Sequence, residues 1–217
     1  MASQTADESE DLDSVNEPPF STNSPDAAAL GRLIVVSGPS GVGKSTVVDS
    51  LAARHPFFFS ISATTRAARP TETEGVDYHF VDQERFGRMR AANELLEWAE
   101  YSGHLYGTPR APVLDRIAAG DDVLLDIEVK GAMQVKETFP EALTLFLAPP
   151  TLEELERRLR SRGDTSPEDV ERRLAIARWQ LEIAQNRFDH IVVNDSVDSA
   201  VEHILRILNA SSTKADR

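Results

Sequence analysis

The chain has 217 residues, 23 Lys and Arg against 36 Asp and Glu, a formal net charge of −13 and no cysteine. That length fits one large domain, or one domain with an inserted smaller lobe, and 41% hydrophobic residues suffice for a core. The missing cysteines exclude a disulfide scaffold, a cysteine nucleophile and Cys-based zinc or iron–sulfur sites, and fit a reducing intracellular compartment. No stretch approaches the roughly 18 apolar residues of a membrane span. The N-terminal segment lacks the basic start and apolar run of a signal peptide. A cytoplasmic protein with no membrane partner is the expectation. Overall acidity argues against a nucleic-acid partner, because non-specific affinity for DNA or RNA comes from basic surface. A small basic pocket for one nucleotide is still compatible with it. The basic residues comprise 19 Arg and only 4 Lys. This skew reflects either base composition or phosphate recognition by planar guanidinium forks, and position decides between them.

Residues 1–30 hold Asp7, Glu8, Glu10, Asp11, Asp13, Glu17 and Asp26 with no Lys or Arg, and are poor in aromatics. Such a segment buries too little apolar area to offset ordering entropy, so a disordered, solubilising tail is expected. Order is expected from Arg32 onward. Leu33-Ile34-Val35-Val36 is a short β-branched run suited to a strand buried on both faces. Similar runs occur at Val123-Leu124-Leu125, ending at Asp126, at Leu143–Leu147, ending at Pro149-Pro150, and at Ile191-Val192-Val193, ending at Asn194. Each is followed by a helical pattern, so the fold class is α/β with a parallel sheet built from βαβ crossovers. Residues 60–108 break this rhythm. Short aromatic and β-branched pieces (Tyr78–Val81, Leu95–Trp98) surround a helical piece near Gln83–Ala92, which marks an inserted mixed α/β lobe at 61–108. The C-terminal third is helical. Thr151 to Glu154 has the form of a capping box, and Ser166-Pro167-Glu168-Asp169 pairs a cap residue with Pro at the first helical position. Ser161-Arg162-Gly163-Asp164-Thr165 between them is a polar turn.

Gly38-Pro39-Ser40-Gly41-Val42-Gly43-Lys44-Ser45 fits G-x-x-x-x-G-K-[ST] after a buried strand and before a helix, the context that identifies a phosphate loop. Gly38, Gly41 and Gly43 let the backbone wrap closely and aim N–H groups at phosphate oxygens. Lys44 reaches the β- and γ-phosphates, and the Ser45 hydroxyl is placed to ligate Mg²⁺. The nucleoside-triphosphate-binding set expected from this motif runs from Gly38 through Pro39, Ser40, Gly41, Val42, Gly43, Lys44 and Ser45 to Thr46. Asp126 and Glu128 stand two apart at a strand's carboxyl end, where ligands sit in a parallel sheet. They are suited either to a magnesium-bound water, Asp126 as the metal-side residue, or to donor groups of a substrate. His55, His79, His104, His190 and His203 show no metal-ligand spacing and are expected to be structural or at the surface, and Trp98 and Trp179 are expected to pack.

Ser62, Arg66 and Arg69 three apart, Glu72, Gly75 and Asp77-Tyr78 form a stretch that resembles the nucleotide-monophosphate-binding segment of guanylate kinases. Leu95-Leu96-Glu97-Trp98-Ala99 and Tyr106-Gly107-Thr108 match that family in order and spacing, as do the Arg158/Arg162 and Arg173 segment and Val193-Asn194-Asp195. The resemblance runs from about 33 to 208. It implies a P-loop NTPase-type sheet flanked by helices, a GMP-binding lobe at 61–108 and a helical lid at about 151–173. The core would then comprise 31–60, 109–150 and 174–211, with a C-terminal tail at 212–217. It implies transfer of the γ-phosphoryl of ATP to GMP with Mg²⁺. By this resemblance Arg66, Arg69, Tyr78 and Tyr106 bind the GMP phosphate and Glu72 holds the arginines. Glu97 accepts from guanine N1–H and the 2-amino group, Ser62 and Thr108 contact the base, and Asp126 and Glu128 are the acidic pair. Lys44, Arg66, Arg158, Arg162 and Arg173 would be catalytic, and Asn194 would lie near the adenine. The resemblance leaves homo-oligomers open. The chain departs from the family pattern at Thr71, Leu105, Lys130 and the 163–165 turn, none of which removes a proposed catalytic group. The physical logic agrees with the resemblance: two anionic ligands must meet, so cations must offset their repulsion, and the remaining work is positioning. Two other readings remain: a non-catalytic guanylate-kinase-like interaction domain, which typically loses the phosphate loop, and a sugar-phosphate kinase, which should lack the Arg-x-x-Arg…Asp-Tyr lobe.

Overall fold

The computed structural model describes residues 30–161 and 166–215, with side chains through 211. All but the last residue of the tail expected at 1–30, and Arg162 of the polar turn, lie outside the described residues. A buried strand β1 (Leu33–Ser37) leads through the glycine loop into α1 (Lys44–Ala52) and a short β2 (Phe58–Phe59). The lobe follows as β3 (Ala63–Thr64), β4 (His79–Phe80), α2 (Gln83–Ala91), β5 (Leu95–Tyr101) and β6 (His104–Pro109). The chain then continues as α3 (Arg110–Ala118), β7 (Val123–Asp126), α4 (Val129–Thr138), β8 (Leu143–Ala148), α5 (Leu152–Ser161), α6 (Pro167–Arg187), β9 (His190–Val193) and α7 (Val197–Ala215). Helix α6 runs unbroken through 173, where the expected lid would end, and α7 extends beyond 211, where the tail was expected.

The main sheet has the order β2-β7-β1-β8-β9, every pair parallel. Alternation along its strands divides the core. Ile34, Val36, Leu124, Leu145 and Leu147 face Val47, Val48 and Leu51 of α1 and Ala200, Val201, Ile204 and Leu208 of α7. Leu33, Val35, Val123 and Leu125 face Val113 and Ile117 of α3 and Ala132 and Val135 of α4. Both faces are therefore covered, which is why these strands lack polar alternation. Leu155 and Leu159 of α5 pack on Val170, Leu174 and Ala177 of α6 as a separate apolar seam. The caps anticipated from sequence form: Thr151 Oγ1 accepts from Glu154 N at 3.1 Å and Ser166 Oγ from Asp169 N at 3.2 Å. The carboxylate of Glu154 takes Arg157 and Arg158 instead of reaching back to the cap.

The lobe has its own sheet, order β4-β3-β6-β5, packed on Phe86 of α2. Strands β5 and β6 form a hairpin whose turn places Ser102 (φ 52°) and Gly103 (φ 79°) in the left-handed region, the pattern that matches strand twist. Between Leu95 and Trp98 the register slips by one residue against Pro109–Gly107. A bulge of this kind bends the strand and re-aims its side chains, and the bulged pair here is Leu96-Glu97.

Asp122, just before β7, joins three parts of the core. Its Oδ1 accepts from Arg32 N and Nε at 3.0 Å, His55 Nε2 lies 2.8 Å from Oδ2, and Arg32 Nη1 donates to Leu208 O of α7 at 2.5 Å. Burial pushes this carboxyl up, but the Arg32 and His55 bonds outweigh it and hold the group below its usual range. Removing it in Asp122→Ala should lower unfolding free energy at pH 7 by about 2 kcal/mol in urea denaturation. Because the folded pKa is depressed, the deficit should shrink as pH falls below about 4, where the wild-type contribution is itself lost.

Candidate functional site

A cavity of about 440 Å³ opens at the carboxyl ends of β1 and β7, between the glycine loop and the lobe. The loop follows β1 directly, and Gly43, at φ 97°, caps the start of α1. A Cβ on Gly38 would stand 2.4 Å from Leu147 O, and one on Gly41 2.7 Å from Leu159 Cδ2, so the loop lies too close to its surroundings for a side chain there. Pro39, Ser40, Gly41 and Gly43 of the loop and Lys44, Ser45 and Thr46 of the first turn of α1 line the cavity, and the free N–H groups of a helix start favour an anion there. Lys44 Nζ donates to Gly38 O at 3.0 Å and lies 3.7 Å from Asp126 Oδ1. Burial pushes the Asp126 carboxyl up, only partly offset by Lys44, and burial likewise raises Glu128, whose Oε2 accepts from Gln180 Nε2 at 3.3 Å.

The opposite wall belongs to the lobe. Arg66 is gripped bidentately by Glu72, Nη1 to Oε2 at 2.9 Å and Nη2 to Oε1 at 2.8 Å, and Glu72 also accepts from Arg69 N at 2.8 Å. Arg66 therefore holds the Glu72 carboxyl down at about 2. The guanidinium carbon sits 5.3 Å from the centre of the Tyr78 ring, which meets Tyr106 edge-on at 5.9 Å. Burial raises the Tyr78 phenol. Arg69, 71% exposed, extends towards the cavity without a tight clamp. Two aromatic hydroxyls and two guanidinium groups thus converge opposite the loop.

Glu97 lies deeper. It is 4% exposed, and its Oε1 accepts from the Thr108 hydroxyl at 2.7 Å across the hairpin. Burial pushes its pKa up to about 7, although Thr108 pulls it down. A carboxylate so placed demands donors from a ligand that enters the cavity.

Of the residues singled out from sequence, Pro39, Ser40, Gly41, Gly43, Lys44, Ser45, Thr46, Ser62, Arg66, Arg69, Tyr78, Glu97, Tyr106, Asp126 and Glu128 line this one cavity. Others support it from behind. Val42 is fully buried, and its carbonyl accepts from Asn194 Nδ2 at 2.7 Å and Arg158 Nη1 at 3.2 Å. Arg158 also donates to Asn194 O at 3.1 Å and to Glu154 at 2.7 Å, so its guanidinium braces the back of the loop in this state. Arg173 reaches Ser40 Oγ at 3.4 Å, and its buried Nε has no partner among the described residues. Trp98 packs in the lobe core beneath Arg90. Trp179 does not pack: 42% exposed, it lines a second groove of about 640 Å³ with Ile176 and Arg172, because it lies on the face of α6 turned towards the lobe. Sequence reasoning passed over Gly131 and Gln134 of α4, which touch β5 beside Glu97. A glycine inside a helical pattern costs about 1 kcal/mol and was the available signal.

Two facing anion sites, one of them a phosphate loop on a parallel sheet, define a P-loop phosphotransferase. Residues 30–211 match the sequence model of the guanylate kinase family. The guanylate kinase of Gloeobacter violaceus is 52% identical over 189 residues, covering 87% of this chain and 92% of that protein. That of Thermobifida fusca is 54% identical over 184 residues, 84% of this chain and 93% of its own. The crystal structure of guanylate kinase from Anaplasma phagocytophilum superposes with a TM-score of 0.70 at 34% identity, over 84% of this chain and 87% of that one. The chain belongs to the guanylate kinase family.

The Thr108 bond favours the charged form of Glu97, so Thr108→Val should raise the Glu97 midpoint above its value of about 7. Carboxyl ¹³C titration of the ligand-free protein reads this directly. An unchanged or lowered midpoint would remove Thr108 from the account.

Proposed function

We infer that this chain transfers the γ-phosphoryl of ATP to GMP, giving ADP and GDP. The observation that carries the reading is one cavity lined by an intact phosphate loop, the Arg66–Tyr78–Tyr106 cluster and a buried carboxylate at Glu97. An interaction domain has no use for the complete loop with Lys44, and a sugar-phosphate kinase has none for the Arg66, Arg69 and Tyr78 lobe.

ATP lies with its β- and γ-phosphates on the N–H groups of Gly41, Gly43, Lys44, Ser45 and Thr46. Lys44 leaves Gly38 O and Asp126 to meet the γ-phosphate. The GMP phosphate is held by Arg66, Arg69, Tyr78 and Tyr106, with Glu72 fixing the arginine fork. Guanine presents N1–H and its 2-amino group to Glu97, with Ser62 and Thr108 beside it. Adenine offers no such pair of donors, so its binding leaves Glu97 buried and unpaired. A phosphate oxygen of GMP attacks the γ-phosphorus in line while the bond to the β-phosphate oxygen breaks, and ADP departs with that oxygen. The Ser45 hydroxyl and the Asp126 carboxylate both line the cavity and, as hard oxygen donors, would hold Mg²⁺. When bound, that ion offsets charge on the β- and γ-phosphates. Arg173, Arg158 and the lid residue Arg162 supply further positive charge when α5 and α6 approach the lobe. The division into core, lobe at 61–108 and lid at 151–173, with a cytoplasmic location, belongs to the same reading.

In an ADP-release assay GMP should be turned over, and AMP, CMP and UMP should be disfavoured by about 10⁴. No GMP-dependent turnover, or equal rates with AMP, overturns the reading. Lys44→Ala should abolish turnover with the circular dichroism spectrum intact. The guanine donors require ionised Glu97, so kcat/KM for GMP should rise as pH rises through about 7. GMP's own phosphate titrates near about 6 and does so in every variant. Glu97→Gln should therefore lose only the higher transition, along with most GMP affinity, while binding ATP normally.

A further inference from the structure

Strand β5 is an edge of the lobe sheet, and its outer side faces α4 of the core. An uncovered edge leaves backbone groups unpaired. Here Gln134 covers it: Nε2 donates to Trp98 O at 2.8 Å, and Trp98 N donates to Gln134 Oε1 at 3.2 Å. The side-chain amide thus acts as one residue of a neighbouring strand, immediately after the bulge that carries Glu97. Three residues earlier on α4, on the same face, stands Gly131. A Cβ built there would lie 2.1 Å from Glu97 Oε2 and 2.9 Å from its Cδ. Gly131 does not have a positive φ. Nothing in its backbone demands glycine, and the contact with Glu97 is what excludes a side chain. Glu97 has little room to yield, because its other oxygen is tied to Thr108 and the residue is 4% exposed.

We propose that α4 gauges the purine-selecting carboxylate: Gly131 leaves the space in which Glu97 Oε2 sits, and Gln134 fixes the strand from which Glu97 projects. Both are positioning residues for base selection, acting through Glu97 and not by touching the nucleotide. The proposal rests on the assignment of Glu97 to guanine. It adds that the base site is built from a core helix as well as from the lobe, so lobe and core share the job of choosing the acceptor.

The informative variant is Gly131→Ala. Alanine favours the helix, so the variant should fold with an unchanged or higher Tm. The new methyl must push Oε2 away, and displacements of about 1 Å in such sites cost about 10²-fold. KM for GMP should rise by about that factor, with ATP affinity unchanged by calorimetry. Adding Glu97→Asp shortens the acid by one methylene and relieves the clash. Gly131→Ala/Glu97→Asp should therefore use GMP better than the product of the two single losses allows, by at least about fivefold. Normal GMP kinetics in Gly131→Ala, or strict additivity in the double variant, overturns the proposal. Wild-type protein assayed alongside separates this from failure of the reading itself, since loss of GMP turnover there would remove Glu97's assignment and not merely its gauge.

Discussion

Two polyanions have to be held within bonding distance, and the phosphate-facing walls of the cleft answer to that repulsion. A pair of unit charges 4 Å apart repels by about 4 kcal/mol in a partly buried site, and phosphates carry several such charges. The chain as a whole is strongly acidic, at −13, so bulk electrostatics work against nucleotide binding. Positive potential has to be local, and it is supplied in two forms. On one wall it comes from peptide N–H groups at the start of α1, and on the other from guanidinium groups. Three of the charged groups each have a partner: Lys44 has Gly38 O and Asp126, Arg66 has Glu72, and Arg158 has Glu154 and two carbonyls, whereas Arg69 stands largely in solvent. These partners hold the side chains close to where they are needed, so little entropy remains to be lost on binding.

The parallel sheet is what brings the two walls together. The carboxyl ends of β1 and β7 lie side by side in register, Val36 opposite Asp126, which sets the glycine loop next to the acidic pair. The lobe is inserted between α1 and α3 and presents its hairpin across that edge. Its sheet is small, and its inner edge is completed by Gln134 of α4. The lobe is therefore hydrogen-bonded to the core at the segment that carries Glu97, while Arg69 lies farther out and 71% exposed.

Strands buried on both faces announce themselves as continuous apolar runs, so Leu33–Val36, Val123–Leu125 and Leu143–Leu147 were legible. Ile191–Val193 was legible as an apolar run too, although as the sheet edge it leaves Val193 46% exposed. The caps at Thr151 and Ser166 were also legible. The glycine loop was legible because its chemistry needs a fixed spacing. Phe58–Phe59 was not, since a two-residue edge strand has no period to detect. The bulge at Leu96-Glu97 depends on pairing with β6 and has no local signature. Arg158 was legible through the family resemblance, but its partner, the carbonyl of Val42, is 116 positions away in sequence. Trp179 misled because a large aromatic in an amphipathic helix usually points inward.

On the proposed assignment of the site residues, affinity and selectivity are built differently. The phosphate sites use charge, tolerate exposure and adapt through long side chains, as Arg69 does at 71% exposure. Such contacts cannot tell one nucleoside monophosphate from another, because every one carries the same phosphate. The base site uses one carboxylate with almost no access to water, held by Thr108 on one oxygen and crowded by α4 on the other. Burial makes that group costly to leave unpaired, and this cost is what converts two missing donors on a wrong base into rejection. The same burial drives its pKa towards neutrality, so the carboxylate must be held where a correct base can pay its desolvation back in hydrogen bonds. Rigid placement from both lobe and core is the structural consequence of choosing the acceptor with a single buried charge.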